Sequence, residues 1–206
     1  MSLLALPSQK PDLEWPTESW PARDLPAEME RTSFDRLVEY GFSDPWPADL
    51  GETHALIIVQ GGALRYERYA PGLTAADTQP SWSMAKSITQ ALFGLLVRDG
   101  KARVEDPVNA PEWRNVNDPR RHITHHHLMQ MSSGLAFREE YGADLPSDTI
   151  EMLWGAGKSD TAHFAAEKPL ANGIGDVWSY SSGTSNILAR ACAQTIDRFG
   201  PDFEDF

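Results

Sequence analysis

The segment Ser81-Trp82-Ser83-Met84-Ala85-Lys86-Ser87 places a hydroxyl and an amine three residues apart. On a helix that spacing puts Lys86 one turn above Ser83 on the same face, with its amine within reach of the hydroxyl. A serine hydroxyl is a poor nucleophile until a neighbour takes its proton. A lysine whose pKa is lowered by desolvation or nearby positive charge can do so. In the first turn of a helix, unpaired N–H groups and the helix dipole also favour developing negative charge. Ser-x-x-Lys alone is a common coincidence. Here Trp82 and Met84 flank the serine and a long apolar run follows, a setting ill suited to two residues that merely face solvent.

A second cluster is Trp178-Ser179-Tyr180-Ser181-Ser182-Gly183-Thr184-Ser185-Asn186, preceded by Asn172-Gly173-Ile174-Gly175-Asp176. Its glycines, serines and asparagines read as a structured loop entering a helix at Asn186, and Tyr180 is a candidate acid or base. His122, His125, His126 and His127 invite a metal reading. Consecutive histidines point in different directions around a helix, however, and no acidic or cysteine ligand has matching spacing. No metal and no cofactor are expected.

The elements that must position these groups follow from periodicity. Residues 1–32, with Trp15-Pro16, Trp20-Pro21 and Leu25-Pro26, read as an extended arm whose tryptophans pack on the body formed by 33–206. Ser33 is placed to cap a short helix through Tyr40. A continuously apolar run, 55–60, looks like a strand covered on both faces. With the alternating run 64–69 across Gly61-Gly62 it makes a hairpin. Met84, Ile88, Leu92, Leu95 and Leu96 form the stripe of a helix over 81–98, ended by Asp99-Gly100. Shorter helices are expected over 124–131, 149–154 and 162–166, and a long one over 186–198. A two-stranded hairpin is marginal alone, and no strong strand follows Tyr69.

The 206 residues suffice for one ordinary domain with a core, and 41% are hydrophobic. A formal charge of −12 argues against nucleic acid or an anionic membrane as partner. The single cysteine, Cys192, excludes an intrachain disulfide and lies in an apolar helical stretch, where cysteine behaves as a small hydrophobe. The N-terminus lacks the basic region and sustained apolar run of a signal peptide, so a cytoplasmic location is expected.

In order, these blocks resemble the serine β-lactamase, penicillin-binding protein and carboxylesterase superfamily, in its class C-like branch, from about His54 to Phe206. The resemblance rests on the strand pair, Ser83-x-x-Lys86, the His127-Leu128-Met129 to Gly134-Leu135 block and the Tyr180-x-Ser182 loop. It implies an α+β, β-lactamase/transpeptidase-like fold: a helical lobe plus an N-terminal strand pair of an antiparallel sheet whose remaining strands lie outside this sequence. Ser83 would form an acyl-enzyme, Lys86 would manage its proton, and Tyr180 would serve as base for attack and proton donor to the leaving group. His127 would have a structural role at a helix start. Ser182 stands where many members carry Asn, and Tyr-x-Ser is similar to the 6-aminohexanoate-dimer hydrolases. Tyr141 is similar in placement to a substrate-contacting tyrosine of that group.

Ser offers a single short hydroxyl where Asn offers an amide donor, which favours ester or linear-amide substrates over β-lactams. The alternatives are β-lactamase or D-alanyl-D-alanine peptidase activity, and a truncated, inactive binding or scaffold protein. The superfamily's third motif, Lys-Thr-Gly or a substitute, follows the tyrosine loop on a strand, whereas Lys168 is the last lysine here. The resemblance therefore implies an N-terminal portion, a split chain or a truncated product. The expected partners are a small ester or amide substrate and a complementing C-terminal segment or a second copy.

Overall fold

The computed structural model describes residues 8, 12–13, 16–142 and 146–199. The chain divides into two compact units, Met1–Gln79 and Pro80–Phe206.

In the first unit, Gly61 and Gly62 both adopt positive φ, at 61° and 72°. Their freedom permits the tight turn that folds β1 (Ala55–Gln60) antiparallel onto β2 (Ala63–Tyr69), in a register running from Ala55 opposite Tyr69 to Gln60 opposite Ala63. The register shifts between Ile58 and Val59, which makes room for one extra residue on β2. These two strands form a two-stranded sheet among the described residues. Ile57 and Val59 are exposed, so β1 is not covered on both faces as its apolar run implied. Helix α1 (Arg31–Gly41) lies on the hairpin, with Phe34 edge-on to Tyr66 at 5.0 Å and Arg68 of β2 donating to Glu39. Its cap is Glu30, whose carboxylate accepts from the backbone N–H groups of Thr32 and Ser33. A longer side chain reaching back over the first turn thus displaces Ser33 from the expected role.

Of the expected arm, Pro21 to Asp24 runs along β2. The Leu64 N–H donates to the Pro21 carbonyl at 2.9 Å, the Arg23 N–H to Leu64 at 3.0 Å, and Arg65 Nη1 to Asp24 at 2.6 Å. Backbone pairing holds the arm, and Trp20 stays exposed, while Trp15 lies outside the described residues.

The second unit is helical: α2 (Met84–Arg98), α3 (His125–Met129), α4 (Asp148–Trp154), α5 (Thr161–Ala166) and α6 (Ser182–Phe199), with 3₁₀ turns at Pro111–Trp113 and Pro119–His122. Its core is built around α6, which buries Ile187, Leu188, Ala191, Cys192 and Ile196 against Phe93 and Leu96 of α2, Leu128 of α3 and Met152 of α4. Burial raises the Cys192 thiol to about 11, consistent with a packing role. Helix α6 begins four residues before the expected Asn186. Ser181 supplies the cap, its Oγ accepting from the Thr184 N–H at 3.1 Å. Gly183, which reads as a helix breaker, lies against Phe137, where a Cβ would come within 2.5 Å of the ring.

The face of α2 that turns inward carries Lys86, Thr89, Phe93 and Leu96. Of the expected stripe, Leu96 is buried, while Met84, Ile88, Leu92 and Leu95 lie outward and exposed. No helix among the described residues is long and apolar enough to cross a membrane.

Candidate active site

Ser83 occupies the N-cap position of α2, one residue before its first turn. Its hydroxyl makes no capping bond and instead accepts from Lys86 Nζ at 3.0 Å. The i, i+3 geometry expected from sequence is therefore realised, at the positive end of a 15-residue helix. Trp82, immediately before, has φ at 44°, in the left-handed region. That conformation costs a bulky residue of the order of 1–2 kcal/mol and is tolerated where surrounding structure fixes it.

Tyr180 reaches the pair through its ring, whose centroid lies 5.1 Å from Lys86 Nζ. The block from His127 to Leu135 holds its loop. The Ser179 N–H donates to the Met131 carbonyl at 2.8 Å, and the Gly175 N–H to the Ser132 carbonyl at 2.8 Å. The N–H groups of Ala171 and Asn172 both turn to the Gly134 carbonyl. Gly134 has φ at 76°, and a Cβ there would stand 2.5 Å from the Asn172 oxygen, so glycine is required on both counts. The block itself is fixed by a reciprocal cap: the His127 N–H donates to Thr124 Oγ1 at 3.3 Å and the Thr124 N–H to His127 Nδ1 at 3.1 Å. Burial, with His126 adding a smaller repulsion, lowers the His127 pKa. His125, whose ring nitrogen meets the Arg103 carbonyl at 3.1 Å and packs on Phe93, is lowered chiefly by burial. These histidines serve as packing and capping groups.

A cavity of about 600 Å³ opens beside Ser83 and Lys86. Its walls come from α2, from the segment bearing Glu139 and Tyr141, from α4, and from the first turns of α6. Ser182 and Tyr141 both line it. Their hydroxyls, however, converge on a residue that sequence reading passed over. Glu139 Oε1 accepts from Ser182 Oγ at 2.7 Å and from Tyr141 Oη at 3.1 Å, and Oε2 accepts from the Ser182 N–H. Desolvation raises the Tyr141 pKa, the Glu139 bond and charge add to it, and Thr149 opposes. The Thr149 hydroxyl also lines the cavity, buried and without a partner at hydrogen-bonding geometry. Glu139 escaped the sequence reading because its partner Ser182 lies 43 residues away. The one local hint was its position two residues before Tyr141.

Fold and site together define an α+β protein with a serine–lysine pair at the start of its first long lobe helix, beside a tyrosine-bearing loop. The sequence model of the Beta-lactamase family matches residues 52–205, and the chain belongs to that family. A protein described as a 6-aminohexanoate-dimer hydrolase from Bacillus anthracis has a similar fold, with a TM-score of 0.65 at 18% identity. The match covers 87% of this chain and 49% of that one, so the chain spans about half the length of that structure. No curated protein matches the sequence.

Proposed function

We propose that the chain carries the nucleophile-bearing part of a serine hydrolase that cleaves esters or linear amides through an acyl-enzyme. The observation that carries this reading is the 3.0 Å contact between Lys86 Nζ and Ser83 Oγ at the N-terminus of α2. At rest the amine donates. For attack, an unprotonated Lys86 accepts the hydroxyl proton as Ser83 Oγ bonds to the substrate carbonyl carbon. The leaving alkoxide or amine departs with a proton supplied through Tyr180, and water then releases the acid. The positive end of α2 stabilises the oxyanion formed on the way.

Ester or linear-amide chemistry is favoured over β-lactam turnover because position 182 carries a single short hydroxyl, already donated to Glu139, in place of the longer amide donor that many relatives have there. A second reading, a binding protein without turnover, is favoured by the exposed stripe of Met84, Ile88, Leu92 and Leu95. Such a face suits a complementing segment or a second copy.

Intact-mass measurement after incubation with an uncharged alkyl fluorophosphonate separates the two. A single adduct that moves to Ser83 on peptide mapping, is lost in Ser83→Ala, and forms about 100-fold to 1,000-fold more slowly in Lys86→Met is expected of the hydrolase. A chain that never labels favours the binding-protein reading.

A further inference from the structure

We propose that Glu139 is a specificity-determining residue, a fixed negative charge in the acyl cavity that selects uncharged apolar acyl groups against acyl groups ending in a carboxylate. The inference deepens the hydrolase reading and rests on it.

The cavity is apolar along most of its lining, to which α4 contributes Ile150, Leu153 and Trp154. Burying a hydrocarbon acyl chain against such a wall removes apolar surface from water, which favours alkyl or aryl groups. Into this wall the fold sets one carboxylate. All three donors to Glu139 are neutral: the Ser182 N–H, the Ser182 hydroxyl and the Tyr141 hydroxyl. They orient the carboxylate and bring no positive charge to it. Among the described lining residues the cation is Lys86, and it is engaged with Ser83 and the Tyr180 ring. A substrate carboxylate entering the cavity would meet Glu139 in a partly open site, where like charges repel and salt screens the repulsion. A neutral chain pays no such penalty.

The test uses two esters of matched length, p-nitrophenyl hexanoate and the p-nitrophenyl monoester of adipic acid. They differ in a terminal methyl against a terminal carboxylate. In each, Ser83 Oγ bonds to the acyl carbon as the bond to p-nitrophenolate breaks, and the released phenolate reports acylation. The wild-type chain is expected to acylate faster with the hexanoate by about tenfold, and Glu139→Gln, which keeps the side-chain shape, to compress that ratio severalfold. Glu105→Gln, an exposed change of the same net charge, serves as the control and leaves the ratio where it was. If the fluorophosphonate labels Ser83 and the hexanoate-to-adipate ratio is the same in Glu139→Gln as in wild type, Glu139 has no selective role and the hydrolase reading stands. Should no probe modify Ser83, both fall together. If Glu139→Gln loses its cooperative thermal transition, the wild-type ratio is followed from about 20 to about 500 mM salt. Screening must compress it, and a flat ratio overturns the proposal.

Discussion

Glu112 and Glu139 are two carboxylates that each take a partner distant in sequence, and they are held differently. Glu112, on the Pro111–Trp113 turn, receives Arg190 Nη1 and Nη2 of α6 at 2.9 and 2.7 Å and His163 of α5 at 2.8 Å. Burial alone would raise its pKa, but the bonds from Arg190 and His163 outweigh it and hold the carboxyl at about 2. Its charge is matched inside the same cluster. Glu139 receives only neutral donors, so its charge projects into the cavity. The first arrangement ties three elements together; the second leaves a field where a substrate would lie. A buried ion pair therefore marks structure here, whereas an oriented but unmatched carboxylate marks selection.

That contrast is exposed to experiment. Glu112→Ala should be the costliest change, because it strands the largely buried Arg190 guanidinium. A loss of about 3 kcal/mol is expected in urea denaturation, and a midpoint within error of wild type would dissolve the distinction. Glu139→Ala removes an acceptor at the start of α6, and about 1 kcal/mol is expected from a lost cap-type interaction. Its larger effect should be on the acyl selectivity described above.

The pH dependence sharpens the difference further. The folded-state pKa of Glu112 is depressed to about 2 from an ordinary 4.5, so its contribution is complete above about pH 4.5 and declines as pH falls toward 2. Wild type should lose stability across that window, and Glu112→Gln should flatten the slope. His163, mainly through its bond to Glu112, has its pKa raised above 6.5. Its contribution is complete below about pH 6.5 and is lost as pH rises through the folded value. Because the imidazole is 55% exposed, His163→Gln should cost under about 1 kcal/mol at pH 6 and nothing measurable near pH 9. An unchanged difference at both pH values would remove His163 from the cluster's charge balance.

Helix α2 shows how the legible part of the chain was read. Its existence and its C-terminal end were plain from periodicity and from Asp99-Gly100. Its inward face was only partly so, because apolar residues recur nearly all round it: of the stripe Met84, Ile88, Leu92, Leu95 and Leu96, the structure buries Leu96, together with Phe93, and leaves the other four outward. A hydrophobic stripe records that a face favours cover, not which neighbour supplies it. The start of α6 was hidden for a related reason. Gly183 looks unfavourable to a helix by propensity, yet its lack of a Cβ is what admits Phe137.

By itself the sequence determined what is local: the Ser83–Lys86 spacing, the glycine turn between β1 and β2, the Thr124–His127 cap, and a tyrosine in a polar loop. Each depends on residues within a few positions of one another, where backbone geometry alone sets the distance. Tertiary structure decided the rest. It brought the Tyr180 ring to Lys86, hung the tyrosine loop on Met131, Ser132 and Gly134, and set Glu139 against Ser182 at the rim of the cavity. Those contacts join segments tens of residues apart. Chain spacing carries no distance information at that range, and packing alone selects which groups meet.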